Sequence, residues 1–156
     1  MKYIRPELVS WWKKYWPPEM FADEGPADEP PLLQKLSGWV GEMHKAGVEI
    51  MAGTDFAGPF VYPGFSLHDE LMLLNRAGLS PMRALQAATL NPAKFLGLRK
   101  SHGTIERGKV ADLILLDADP LKDIRNTKKI AGVVVRGRYL PKPAVERLLS
   151  KGLRPL

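Results

Sequence analysis

Apolar residues recur at steps of three and four along much of the first hundred positions, which predicts helices. The first such stretch runs over 32–46 and ends at Gly47. Three more run over about 66–77, 81–90 and 92–97, each bounded by the glycine, proline or small polar residues that begin and end helices. This half of the chain is therefore expected to be mainly helical.

One short apolar run breaks the helical pattern. The stretch "VEIMAGTDFAG" begins at Val48, directly after the glycine that ends the first helix, and runs into Gly-Thr-Asp. Its length and composition predict a buried strand over about 48–54. A helix, a glycine and a buried strand are typical of the connections in a parallel α/β sheet.

Beyond Gly97 the pattern changes to that of strands. The stretch "GTIERGKVADLILLD" predicts a strand, a tight turn at Arg107-Gly108 and a second strand, and "IAGVVVRGRYL" predicts a hairpin turning near Arg136-Gly137. The segment "PAVERLLSKG" predicts a closing helix. The chain thus divides into an α/β part over 1–98, a β-rich segment over 99–141, and a helix with a tail over 142–156.

The N-terminal region contains four large aromatic rings, at Trp11, Trp12, Tyr15 and Trp16, around two lysines. Such a cluster fits a membrane-interface belt, a lid over a substrate, or a short helix whose rings cover an apolar core. We favour the third interpretation. The paired prolines that follow are expected to end this helix.

Composition narrows the function classes. The net charge is +6, and from Arg99 to the end there are fourteen bases and six acids. These bases are dispersed and lack the aromatic interleaving that stacks nucleobases, so nucleic-acid binding is not expected. The chain has no cysteine, no apolar run of the ~18 residues that a membrane span needs, and no signal-peptide core. A cytoplasmic protein is expected, although an export signal upstream of Met1 would change that.

Asp55 is the main candidate for chemistry. It follows the predicted strand, and active sites of parallel α/β proteins lie at the carboxyl ends of strands. Gly53 and Gly58 flank it and allow close backbone approach. A carboxylate there can bind a cation or accept a proton from an attacking water. It can equally cap the following turn, and the spacing leaves both interpretations open.

Other metal ligands are hard to find. The three histidines, His44, His68 and His102, form neither a His-x-His nor a His-Glu-x-x-His motif. His68 is the histidine nearest to Asp55 in sequence, and it fits either a pocket rim or, as we favour, a helix surface. Phe60 and Tyr62 lie in the loop "FAGPFVYPGF", where they fit contact with an apolar or peptide-like substrate group or simple packing.

Four segments together resemble metal-dependent amidohydrolases, in the branch with imidazolonepropionase-like and prolidase-like members. In chain order they are "GVEIMAGTDF", "HDELMLLNRAGLSPMRALQAATLNPAKFLGL", "GTIERGKVADLILLDADPLKDI" and "VVVRGRYL". They occur in the order of the C-terminal part of those enzymes and cover about 47–140. Four motifs in the correct order make the resemblance specific.

The resemblance implies a fold and a chemistry. It implies the C-terminal fragment of a (β/α)8 TIM barrel plus part of the flanking β-sandwich, in which Lys109, Ala111 and Asp112 are structural. Asp55 then matches the aspartate after the eighth barrel strand, which binds a divalent metal, usually zinc, and accepts the proton of the attacking water. The implied reaction is hydrolysis of carbon–nitrogen bonds in a small-molecule amide or dipeptide-like substrate.

The chain departs from the family pattern in what it lacks. The family's His-x-His, its lysine or glutamate, and its two further histidines would all lie upstream of Met1. We therefore expect a C-terminal fragment that does not bind the metal tightly alone and that forms oligomers or associates with the missing N-terminal part. The alternative is a non-catalytic subunit that completes a split amidohydrolase by association.

Overall fold

The computed structural model describes residues 5–17, 31–55 and 61–151, in which five helices precede a three-stranded sheet and a last helix. The helices are α1 (Pro6–Tyr15), α2 (Pro31–Lys45), α3 (Phe65–Arg76), α4 (Pro81–Ala88), α5 (Leu90–Phe95) and α6 (Lys142–Lys151). The strands are β1 (Leu113–Leu116), β2 (Ile130–Val135) and β3 (Arg138–Pro141), and a 3-10 helix over Ile124–Lys128 joins β1 to β2.

Helices α2 to α5 lie close to the stretches that the periodicity marks. The start of α4 follows local rules, since the Ser80 hydroxyl accepts a hydrogen bond from the Arg83 N–H at 3.3 Å and Pro81 occupies the first turn. Asn91, the small polar residue directly before the helix predicted over 92–97, instead lies inside α5 and donates to the Ile50 carbonyl at 2.7 Å. A tertiary contact has replaced the local one.

The three strands form one antiparallel sheet in the order β1-β2-β3. Val134 lies opposite Leu113 on one side and Tyr139 on the other. The β2–β3 hairpin turns at Arg136-Gly137, as predicted, with φ of 49° and 78°, the left-handed pair that favours a tight two-residue hairpin. Asp112 and Ala111 accept from the N–H groups of these two turn residues, at 2.6 and 3.0 Å, so both have a structural role.

The hairpin predicted around Arg107-Gly108 is wrong in its first strand. Residues 104–112 form no strand, and only the second half of the stretch pairs, as β1. The physical reason is local, because Lys109 hydrogen-bonds the Thr104 hydroxyl and lies 3.5 Å from the Glu106 carboxylate. These contacts close a loop where a strand would keep the side chains apart.

The buried core lies between α3, α4 and the 3-10 helix. Its members are small or aliphatic side chains, namely Leu71, Leu74, Leu79, Ala84, Ala87 and Ile124. Ile124 belongs to the 3-10 helix, so this core joins the helical part to the sheet part. Helix α6 packs on β2 and β3 at the other side of the sheet.

Residues 48–54, here named the extended segment, form neither a helix nor a β-strand in this structure, contrary to the strand predicted over 48–54. A strand requires a hydrogen-bonded neighbour, and no described strand pairs with this segment. Helices bind its backbone instead: Ala52 N–H donates to the Ala87 carbonyl at 2.9 Å, next to the Asn91–Ile50 bond. Ile50 and Ala52 pack on the core, whereas Val48 and Met51 are 48% and 42% exposed.

Among the helices of the described ranges, none has the length and apolarity to cross a membrane.

Two glycines of α2 provide a matched test of helix packing. A Cβ at buried Gly41 would overlap the Ala77 carbonyl oxygen, whereas a Cβ at exposed Gly38 would meet nothing within 4 Å. We expect Gly41→Ala to destabilise the fold by ~1–3 kcal/mol. Gly38→Ala should stabilise it by ~0.5–1 kcal/mol, since alanine loses less backbone entropy in a helix. Urea denaturation measures both, and equal effects at the two positions would contradict this α2–α3 packing.

Candidate functional site

Asp55 lies exposed at the end of the extended segment. Its backbone is left-handed, with φ of 49°, a conformation that aspartate tolerates better than most residues. Residues 56–60 lie outside the described ranges, so the turn-capping interpretation of Asp55 stays open. What the structure establishes is a carboxylate at the carboxyl end of a segment that the helices hold extended.

Glu70 connects α3 to this segment. Its Oε1 accepts a hydrogen bond from the Gly53 N–H at 2.7 Å, two residues before Asp55. Its Oε2 is buried and has no hydrogen-bond partner among the described residues. Glu70 is not among the candidate residues that the sequence pattern indicates. The available signal was the "HDE" triplet in the first turns of the helix that follows the Asp55 loop.

His68 lies on α3 two residues before Glu70 and is half-buried. The sequence favoured a surface position on the helix, and the structure buries part of the side chain. Its Nδ1 is buried with no partner within the described ranges. Burial lowers the pKa of His68 below its ordinary value of 6.5, and the positive charge of Lys128 lowers it further. Asp69 opposes both effects, but it is itself paired with Lys128 at 2.6 Å.

Tyr62 lies in the loop between Asp55 and α3, half-buried. Its ring meets that of Trp12 edge-on with centroids 5.6 Å apart, and its N–H donates to the Ser66 hydroxyl at 2.8 Å. Trp12 is only 4% exposed, so α1 packs against Tyr62 through this ring. The rings of Trp11 and Tyr15 on the same helix are exposed. Phe60 lies outside the described residues.

The remaining histidines lie elsewhere. His44 lines a cavity of about 240 Å³ at the beginning of the extended segment, together with Glu49 and Arg83, whereas Asp55 lies at its end. His102 contacts the Ser101 hydroxyl at 2.8 Å, next to the sheet part. Neither is brought to Asp55 by any described contact.

A complete metal centre does not fit the described residues. They contain no group of three His, Cys, Asp or Glu side chains able to hold an ion. Zinc sites use at least three protein ligands. Asp55 is therefore at most one ligand of a larger set.

Known proteins resemble this chain in sequence and in structure. The model of the amidohydrolase family matches residues 38–140. An imidazolonepropionase from Pseudomonas savastanoi pv. phaseolicola is 38% identical over 86 residues, which are 53% of this chain and 20% of that protein. The chain thus spans about a fifth of the length of the curated relatives it matches.

Solved structures agree in fold. A Xaa-Pro dipeptidase with bound methionine in its active site aligns with a TM-score of 0.64 at 26% identity, covering 86% of this chain and 33% of that one. A putative prolidase from Bifidobacterium longum aligns with a TM-score of 0.59 at 38% identity, covering 72% and 29%. The chain has an α/β fold similar to that of these proteins, and the family match over most of its length shows that it belongs to the amidohydrolase family.

Proposed function

We propose that this chain is the C-terminal part of a hydrolase that cleaves carbon–nitrogen bonds. In this proposal residues 1–98 form the last part of a (β/α)8 barrel, with 48–54 as its final strand, and residues 99–141 form part of a β-sandwich. Residues 142–156 form a C-terminal helix and tail. Family membership supports the general hydrolase class.

The observation that carries the proposal is the position of Asp55. It is exposed, it stands at the carboxyl end of an extended segment, and helices hold that segment on its core side. In parallel α/β folds this end of a strand faces the substrate. The segment pairs with none of the described strands. In the proposed barrel, its neighbouring strands are formed by residues other than the described ones.

The proposed role of Asp55 is proton transfer in hydrolysis. Water attacks the carbonyl carbon of the amide, and the carboxylate accepts the proton that this water releases. The same carboxyl group then donates that proton to the departing nitrogen, so the carbon–nitrogen bond breaks without leaving an amide anion. An exposed carboxylate with no described ion pair is available for this exchange.

The family generally uses a divalent metal. We propose Asp55 as one ligand, with zinc as the ion, and the remaining ligands must come from outside the described residues because these do not form a complete site. This chain alone is not expected to bind the ion tightly.

We propose a small amide or dipeptide-like molecule as the substrate. The similar proteins include an imidazolonepropionase and a Xaa-Pro dipeptidase. Tyr62, held by Trp12, and His68 lie on elements that follow Asp55 directly, and with Phe60 they are the proposed substrate contacts. Tyr62 offers an aromatic ring, and a neutral His68 offers one hydrogen-bond donor and one acceptor.

Asp55→Asn tests the proposed role in the complete enzyme that contains this sequence. We expect kcat for amide hydrolysis to fall by about a hundredfold or more, because an amide cannot accept the proton. Thermal denaturation should show an unchanged fold, since Asp55 is exposed. Asp117→Asn, at an exposed residue of the sheet part, serves as the matched control and should keep its activity. Retained turnover in Asp55→Asn would remove Asp55 from the mechanism.

The lowered pKa of His68 predicts a pH dependence of stability. Below about pH 6.5 the His68 imidazole is protonated more readily in the unfolded chain than in the folded chain. The free energy of unfolding therefore falls as the pH falls. The wild type should therefore lose stability relative to His68→Gln between about pH 7.5 and about pH 5.5. An NMR titration of the imidazole checks the cause, and Lys128→Gln should raise the pKa of His68. A His68 pKa above 6.5 in the wild type would contradict this environment.

The exposed apolar side chains predict association. Val48 and Met51 on the extended segment, and Ile114, Val135 and Tyr139 on the sheet, are all more than a third exposed. Surfaces of this kind are normally covered. We expect the purified chain to self-associate in sedimentation experiments, or to bind the N-terminal part of the enzyme when both are co-expressed. A monodisperse monomer that melts cooperatively would contradict this expectation.

A further inference from the structure

The last hydrogen bond that ties the extended segment to the helices is made by a carboxylate. Glu70 and Gly53 are seventeen residues apart, and the Oε1···N distance is 2.7 Å. A carboxylate that accepts a backbone N–H makes a stronger bond than a neutral acceptor does. The bond therefore holds the chain two residues before Asp55.

Apart from this hydrogen bond, no side-chain packing among the described residues restrains Gly53. Gly53 is exposed, and a Cβ built on it would meet nothing within 4 Å. The preceding anchor is the Ala52–Ala87 bond, and no described hydrogen bond holds Thr54 or Asp55. A glycine with open space around it is free to rotate, so the hydrogen bond is its main restraint.

Rotation at Gly53 would move the Asp55 carboxylate. The two residues span about 7 Å of extended chain, so a turn of some tens of degrees shifts the carboxylate by several ångströms.

Glu70 is itself well placed to act as an anchor. It precedes Leu71, which is buried in the core, so the α3 backbone at this point is fixed by packing. The buried Oε2 with no described partner shows that the carboxylate is kept at a cost in desolvation. Lys128 pairs with the neighbouring Asp69 and leaves Glu70 to the Gly53 bond.

We propose that Glu70 is a positioning residue: through the Gly53 N–H it fixes the chain that presents the Asp55 carboxylate to the substrate. The proposal rests on the proposed role of Asp55, but its central contact can be tested without activity.

The test compares Glu70→Leu, Glu70→Gln and the control Asp69→Asn by quenched amide hydrogen exchange on this chain, with the NMR spectra recorded in dimethyl sulfoxide so that self-association does not broaden the signals. Exchange at Gly53 should quicken about tenfold or more in Glu70→Leu, which has no acceptor, and should stay within about threefold of wild type in Glu70→Gln. Asp69→Asn alters a carboxylate next to Glu70 and should leave Gly53 unchanged. Ala52, bound to the Ala87 carbonyl, is the internal reference.

Two outcomes would overturn the proposal. One is unchanged Gly53 exchange in Glu70→Leu. The other is an equal acceleration at Gly53 and Ala52, which would mean a general loss of stability. If Glu70→Leu does not fold, Glu70→Asp replaces it, because its shorter side chain no longer reaches Gly53 and its exchange there should quicken in the same way.

Activity separates this proposal from the proposed function. In the complete enzyme Glu70→Leu should lower kcat with KM within about twofold, and Glu70→Gln should restore kcat, since a misplaced carboxylate affects the reaction more than binding. A loss of kcat that Glu70→Gln does not restore would overturn the positioning role. Retained turnover in Asp55→Asn would overturn the proposed function while the exchange result on Gly53 stands.

Discussion

The structure depends on how the backbone of residues 48–53 satisfies its hydrogen bonds without a neighbouring strand. Backbone N–H and C=O groups that pack against a core need partners. Here the helices provide them, through the Asn91 amide, the Ala87 carbonyl and the Glu70 carboxylate. The same contacts place Ile50 and Ala52 on the core. The proposed site is thus a consequence of helix packing around one extended segment.

The sheet part supports this arrangement through apolar contact. The 3-10 helix after β1 inserts Ile124, which is 3% exposed, into the core beside α3 and α4. The nearby Lys128–Asp69 ion pair is solvent-exposed, and pairs of this kind contribute little to stability. The apolar insertion therefore does more than the ion pair to hold α3, the helix that carries both His68 and Glu70.

The core is small, and many large apolar side chains are exposed. Leu36, Trp39 and Met43 on α2 are exposed, as are Val48 and Met51 on the extended segment. Such a distribution is unusual for a chain that buries its apolar residues by itself. It agrees with the finding that the chain spans about a fifth of the length of the curated relatives it matches.

The sequence by itself determined the helices, the Arg136-Gly137 hairpin and the family. Helix periodicity, the Ser80 cap and a turn that needs two left-handed residues are local properties, readable from a few neighbouring positions. Only the tertiary structure decided that 104–109 closes a loop, that Asn91 bonds Ile50 rather than capping its own helix, and that Glu70 binds Gly53. Some of these contacts join residues up to 41 positions apart. Others compete with an equally good local alternative. A local sequence pattern does not indicate which partner a residue binds.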